Sequence, residues 1–289
     1  MSEASPPLEV VAGALLDTHG RVLIAERPPG KSFAGRWEFP GGKRHRDESA
    51  RAALARELAE ELGIVVEDAA PLIAVTHRYP GARADVRIDC WRVSAWRGTP
   101  AALDGQRLRW CPRTELVDAD ILEADRAIVT ALVLPPSFVR VPREEPLAEH
   151  VPTGPRPGRT AWLVDALPAE LGVVRRLEEH GDLVFVLDPH TRPVGGAGSV
   201  YSAPHRFERA AHRRELAGRL VHTADEALAA AADGADFLLV TGPDLDAAAA
   251  ARIAGVGLPW YLDAESTLGG PVAPTGRFQS RAALSIGRL

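Results

Sequence analysis

Apolar and polar positions change rhythm twice along the chain. Residues 10–16 and 21–26 are apolar runs joined by Asp-Thr-His-Gly, which reads as a hairpin. The loop PPGKSFAG then leads to Arg36-Trp37-Glu38-Phe39, and Pro40-Gly41-Gly42 breaks that strand. A helix is predicted over about 48–62, because Leu54, Leu58 and Leu62 recur every fourth residue as a buried stripe. Gly63 stands where a C-terminal cap belongs. Strands are expected near 72–77, 85–96 and 108–111, followed by a helix over about 120–134 that stops at Pro135-Pro136.

Residues 141–160 are rich in Pro, Gly and charge and read as a linker or a long surface loop. Beyond them short apolar runs alternate with helical segments: AWLVD (161–165), LVFVLD (183–188), SVYS (199–202), RLVH (219–222), DFLLVTG (236–242), PWYLD (259–263) and ALSIG (283–287). Thr223 and Glu226 form a capping-box pattern before one of the helices. With FVRV (138–141) the runs suit the eight strands of a (β/α)8 barrel, against the alternative of an open doubly wound sheet. The segment is shorter than the ~250 residues usual for such a barrel. PHTRPVGGAG (189–198) is also too short and too rich in Gly and Pro for a crossover helix. Either the barrel is incomplete or the strand count is off. The expected class is α/β, with domains at 1–136 and 137–289 and the linker-like segment inside the second.

Length and composition adjust this picture in few places. A chain of 289 residues suggests two domains, and its 46% apolar and 25% charged content is ordinary for a globular protein. A net charge of −5 argues against nucleic-acid binding through a basic field. Cys90 and Cys111 lack metal-type spacing and suit a reducing cytoplasm. The first residues do not resemble a secretion signal, and no run approaches the ~18 apolar residues needed to span a bilayer. No membrane partner is therefore expected; oligomeric state is not readable. Lys31 and Lys43 are the only lysines, and every other positive side chain is Arg.

The chemistry concentrates on the helix at 48–62. Glu57, Glu60 and Glu61 fall on one face, where like charges repel by roughly 0.2–0.5 kcal/mol per pair. Three carboxylates on a rigid element suit a hard divalent cation, and Mg2+ combines carboxylates with water and substrate phosphates. The plainer alternative is a solvated acidic face with Arg51 and Arg56 as partners.

The full spacing decides between them. Gly42, five residues, Glu48, seven residues, Arg56-Glu57-Leu58, one residue, Glu60-Glu61, one residue, Gly63-Ile64 resembles the Nudix box, the signature of hydrolases acting on nucleoside diphosphates linked to another group. The resemblance implies a mixed-sheet α/β/α sandwich. It also implies metal ligation by Glu57, Glu60, Glu61 and the Gly41 backbone carbonyl, with Mg2+ as cofactor and Mn2+ as a substitute. Glu48 and Arg56 would form an ion pair supporting the ligands, and Gly42 would permit the sharp turn. The metal would neutralise phosphate charge and lower the pKa of water, while one glutamate serves as general base.

WEFPGGK further resembles the MutT branch, over about residues 8–134, which hydrolyses oxidised purine nucleoside triphosphates such as 8-oxo-dGTP and so removes them from the nucleotide pool. That likeness puts Arg27 and Lys43 at the phosphates, Phe39 at the purine pocket and Tyr79 against the base, although Tyr79 equally suits plain packing. Asp104 occupies the position of a glutamate that assists at the metal. Asp125 occupies that of a base-reading asparagine, and ionised Asp only accepts hydrogen bonds where Asn also donates. The partner implied is a small nucleotide. Other substrates on the same box are ADP-ribose, a dinucleoside polyphosphate or a thiamine-pathway pyrophosphate.

HTADEALAAAADGADFLLVTGP resembles the thiamine-phosphate-synthase/TenI-type barrel. A synthase needs basic and polar residues at its first strands, but AWLVDALP offers none and this half has no lysine. Asp188 is a candidate remnant metal ligand, Gly269-Gly270 a candidate phosphate contact, and His205 and His212 a pair spaced for one helix face. A loop aspartate, a turn and solvated side chains are the commoner explanations. The reading is a degenerate barrel with a structural role or a thiamine-phosphate-binding, regulatory one.

Overall fold

The computed structural model describes residues 6–141, 143, 145–150, 159–166, 171–188, 198–203, 216–242, 245–263, 274 and 276–279. The chain divides into two compact units, Met1–Val133 and Leu134–Leu289. Among the described residues no helix is long and apolar enough to cross a membrane.

The first unit opens with β1 (Leu8–Leu15), β2 (Val22–Glu26), β3 (Trp37–Glu38) and β4 (Gly41–Lys43). Helix α1 (Ala50–Leu62) follows, then β5 (Val65–His77), β6 (Val86–Arg97) and β7 (Arg107–Cys111), and finally α2 (Arg113–Leu116) and α3 (Arg126–Val133). A mixed sheet runs β4-β1-β6-β5, with β1 parallel to β6 and antiparallel to β4; a smaller antiparallel sheet runs β3-β2-β7. Alternate residues of β1 serve two cores, as the period of a strand requires. Val11 and Leu15 pack with Leu54, Leu58 and Leu62 of α1. Ala12 and Ala14 pack with Ile128, Val129 and Leu132 of α3. The mixed sheet therefore has a helix on each face.

Three local expectations need adjustment. The hairpin of residues 10–26 is real at its turn, where Asp17 accepts from the N–H groups of His19 and Arg21 at 2.9 and 2.8 Å. After a single bridge between Leu16 and Val22, however, β1 and β2 diverge into different sheets. Helix α1 starts at Ala50 because the Ser49 side chain accepts from Ala52 N–H at 3.2 Å, which leaves Glu48 outside the helix. The last helix begins later than residue 120. Trp37 and Asp120–Leu122 exchange backbone hydrogen bonds of 2.9 Å, and a 3-10 turn, Glu123–Asp125, intervenes.

The second unit has strands β8 (Ser137–Val141), β9 (Thr160–Val164), β10 (Leu183–Leu187), β11 (Gly198–Tyr201), β12 (Leu216–Val221), β13 (Phe237–Val240), β14 (Trp260–Asp263) and β15 (Gly276–Gln279). Helices α4 (Leu171–Glu179), α5 (Ala224–Ala232) and α6 (Ala247–Gly255) are interleaved with them. All neighbouring strands are parallel and β8 pairs with both β9 and β15, so the ring closes. The barrel expected to be incomplete thus has a complete strand ring. Its eighth strand is Gly276–Gln279, whereas the apolar run 283–287 lies outside the described residues.

The stretch 141–160, read as a linker or a long surface loop inside the second domain, connects adjacent parallel strands β8 and β9 of the second unit. Leu147, in its middle, is buried with Trp162 and Val164. Rings from non-neighbouring strands meet inside the barrel, with Phe138 at 5.5 Å from Phe185, 5.2 Å from Phe237 and 4.6 Å from Tyr261. Asp182 accepts from Thr160 N–H and Trp162 Nε1, both at 2.8 Å, which fixes β9 against β10. Thr223 caps α5 by accepting from Glu226 N–H at 3.2 Å, and Glu226 accepts in return from His222 N–H. Asp188 accepts from Ser202 N–H at 2.7 Å and so ties the ends of β10 and β11. His205, His212 and Gly269-Gly270 lie outside the described residues.

Candidate active site

The floor of a cavity of about 530 Å³ is laid by β1 and the Gly41-Gly42 turn, and α1 closes one side with its glutamates. Both glycines are dictated by close approach. A Cβ on Gly41 would stand 2.1 Å from the Val11 carbonyl oxygen, at a φ of 149°. A Cβ on Gly42 would stand 2.4 Å from Glu57 Oε2. The turn therefore presses its backbone against a carboxylate, and any side chain at Gly42 would displace it.

Arg56 explains how α1 carries its charge. Its guanidinium takes Glu48 in a two-point grip at 3.0 and 2.9 Å, reaches Glu57 at 2.9 Å and Glu60 at 3.2 Å, and donates to the Lys43 carbonyl at 3.1 Å. The planar fork is suited to such multiple contacts in a way that Lys is not. These hydrogen bonds hold the Glu48 carboxyl below the usual carboxylate range. Glu61 points elsewhere and accepts from Gly41 N–H at 3.0 Å. Burial, reinforced by the charges of Glu38 and Glu57, pushes Glu61 up to about 7 against that hydrogen bond.

Asp125 is the other displaced acid. It is 4% exposed and accepts from Phe39 N–H at 3.3 Å. Burial, with the Glu38 charge adding to it, pushes its carboxyl up to about 7. Around neutrality a proton is therefore available on a carboxyl that faces the cavity beside a backbone donor.

The residues singled out in the sequence converge. Glu57, Glu60, Glu61, Gly41, Gly42, Asp104, Arg27, Phe39, Lys43, Tyr79 and Asp125 all line the one cavity. Glu48 and Arg56 are not among its lining and meet behind α1's glutamates. Gly41 contributes its N–H to Glu61. Tyr79 lies 4.9 Å from the Phe33 ring and 4.5 Å from that of His77.

Three participants escaped the sequence reading. Glu38 pairs with Arg27, and its own carboxyl is raised by burial. Its signal was position alone, next to Phe39 in the strand before the turn. Lys31 pairs with Asp104, and its rarity as one of two lysines was the available hint. Gln106 accepts from Asp104 N–H at 2.8 Å and donates to the Glu61 carbonyl at 3.0 Å, a tie invisible without the fold.

A family model described as the NUDIX domain matches residues 11–131. The CTP pyrophosphohydrolase of Escherichia coli K12 is 37% identical over 126 residues, which cover 44% of this chain and 91% of that protein. A putative 8-oxo-dGTP diphosphatase 2 of Mycobacterium tuberculosis is 42% identical over 126 residues, covering 43% of this chain and 86% of that protein. The solution structure of the Escherichia coli ORF135 protein aligns at 34% identity and a TM-score of 0.40, covering 45% of this chain and 90% of that chain. The chain belongs to the Nudix family. It is a hydrolase acting on phosphoanhydride bonds, and the matched residues fall in its first unit.

Nudix hydrolases generally use divalent metal ions. Among the described residues no three His, Cys, Asp or Glu side chains are close enough together, as placed, to hold one. Glu57 and Glu60 are engaged by Arg56, and Glu61 by Gly41. The donor chemistry nevertheless fits a hard cation. Three carboxylates line one cavity, and the proton affinity of Glu61 is raised partly by like charges that a cation would offset.

Proposed function

We propose that the Nudix unit is a Mg2+-dependent nucleoside triphosphate pyrophosphohydrolase, with Mn2+ able to substitute. Its preferred substrate in this reading is 8-oxo-dGTP, cleaved to 8-oxo-dGMP and pyrophosphate, which removes an oxidised precursor of DNA. The observation that carries the reading is a buried, protonatable Asp125 beside Phe39 N–H, in the cavity lined by the α1 glutamates. A neutral Asp125 can both donate to and accept from a purine edge, as the amide of Asn would. The relative named as a putative 8-oxo-dGTP diphosphatase supports the same choice.

Glu57, Glu60 and Glu61 would hold the metal, with Asp104 assisting. The ion would neutralise phosphate charge and activate water. Arg27 and Lys43 would bind the phosphates, and Tyr79 would lie against the base. Glu48 acts through Arg56, keeping two of the three carboxylates in position. Glu61 lines the same cavity as Glu57 and Glu60, and one of the three would serve as general base toward the attacking water.

A second reading is favoured by the relative named CTP pyrophosphohydrolase, since a cytosine edge also offers a donor and an acceptor. Turnover with Mg2+ on dGTP, 8-oxo-dGTP, CTP, ADP-ribose, a dinucleoside polyphosphate and thiamine pyrophosphate separates these. Preference for 8-oxo-dGTP sustains the proposal, preference for CTP moves it to pyrimidines, and hydrolysis of only non-triphosphates displaces it. For the barrel, the proposal is a degenerate TenI-like unit without synthase activity. It is tested by following the melting of the full chain with thiamine phosphates, where a shift supports ligand sensing and none supports a scaffold.

A further inference from the structure

Both lysines of this arginine-rich chain line the same cavity. Lys43 follows the glycine turn, whereas Lys31 comes from the loop between β2 and β3 and meets Asp104, 73 residues away, in an ion pair whose side chains are 47% and 50% exposed. The two sides of this pair are anchored very differently. Asp104 is tied to α1 through Gln106, and its neighbour Leu103 donates to the Glu61 carbonyl at 3.1 Å. Lys31 lies between Gly30 and Gly35, at φ of 91° and 87°, with nothing within 4 Å of where either Cβ would be. In the same loop Phe33 sits at φ 60°, 45% exposed, against the Tyr79 ring. If the pair opens, Lys31 is the partner that moves. A half-exposed ion pair contributes little to stability, so little opposes its exchange for another partner.

We propose that Lys31 is a polyphosphate-binding residue that Asp104 holds between turnovers. When the nucleotide enters, the Gly30–Gly35 segment carries Lys31 Nζ from Asp104 to oxygens of the terminal phosphates, and the Asp104 carboxylate becomes free to face the cavity. The choice of lysine in a chain that otherwise uses arginine follows from this exchange. An ammonium is a compact charge on a flexible stem, while a guanidinium would fork onto Asp104 with two bonds and release it slowly. The inference rests on the triphosphate reading above.

The test uses the full chain with Mg2+ and two probes, the non-hydrolysable α,β-methylene-dGTP and dGMP. Lys31→Met is expected to weaken binding of the triphosphate analogue about tenfold, the effect of losing one charge-assisted contact, and to change dGMP binding less than twofold. Lys31→Arg keeps the charge and should lose only about threefold, because its fork competes for Asp104. Equal binding of both probes by wild type and Lys31→Met would overturn the role of Lys31 while leaving the triphosphate reading intact. Equal weakening of both probes would make Lys31 a general support of the loop and also overturn it. If wild type binds neither probe, nor the α,β-methylene analogue of 8-oxo-dGTP, the triphosphate reading falls and this inference falls with it.

Discussion

The cavity of the first unit and the aromatic layer of the second are filled in opposite ways, although the second unit also buries acids such as Asp182 with hydrogen-bond partners. In the first, acids are drawn into a cavity: Glu38, Glu61 and Asp125 all have carboxyls raised by burial, and two of them reach about 7. In the second, the middle of the barrel is filled by Phe138, Phe185, Phe237 and Tyr261, whose only polar group among these rings donates to the Pro135 carbonyl at 2.9 Å. Burying an ionisable group without a partner is costly, and a fold retains it where the charge or proton has a use. Aromatic filling instead contributes cohesion and leaves little room for a ligand in that layer. The contrast assigns chemistry to the first unit and mechanical integrity to the aromatic layer of the second.

The sharpest way to break that contrast is to remove charge from the first unit and volume from the second. Glu57→Gln should lower kcat by roughly 10²–10⁴-fold, the range for loss of a group acting on the reacting water or its ligands, with melting nearly unchanged. A pyrophosphate-release assay beside a thermal melt checks both halves, and full activity would sink the assignment of Glu57. Phe138→Ala should do the reverse. It should destabilise the barrel by about 3–5 kcal/mol in a denaturant titration while folded molecules keep their turnover. Loss of turnover without loss of stability would mean that the barrel layer takes part in chemistry.

Smaller effects sharpen the picture. Arg56→Lys cannot bridge Glu48, Glu57 and Glu60 together, and turnover should fall about tenfold by misplacement of carboxylates. Steady-state kinetics should show this mainly in kcat. Asp125 gives the smallest and most specific effect. Its folded pKa, about 7, lies above the unfolded value of 3.8, so the folded state binds the extra proton between these limits. Its contribution to stability is present at low pH and declines as pH rises towards 7, by up to about 1.4 kcal/mol per pH unit. Asp125→Asn should flatten that part of a stability-versus-pH curve and remove any weakening of nucleotide binding above pH 7. An unchanged curve would show that Asp125 does not hold its proton in the folded protein.

How far the sequence reached depended on whether an interaction is local. Glu57, Glu60 and Glu61 could be read together because helical geometry puts residues three and four apart on one face. Gly63 could be read as a cap because its φ of 69° suits glycine, and it donates to the Ala59 carbonyl at 3.0 Å. Most barrel strands were readable as apolar runs, yet Gly276–Gln279 was not, since GRFQ has no such pattern. Residues 141–160 left linker and long loop both open for a related reason. A stretch rich in Pro and Gly suits either until Leu147 is seen buried against Trp162.

By itself, then, the sequence determined most of the elements from their apolar patterns, and the family signature with its three glutamates from spacings within one helix and its flanking turns. Only the tertiary structure decided which distant groups meet. It brought Asp125 to Phe39 across 86 residues, set Glu38 within electrostatic reach of both Glu61 and Asp125, and joined Lys31 to Asp104. The physical reason is that proton affinity and ion pairing depend on burial and on neighbours in space, which strand order and loop closure settle and local periodicity does not.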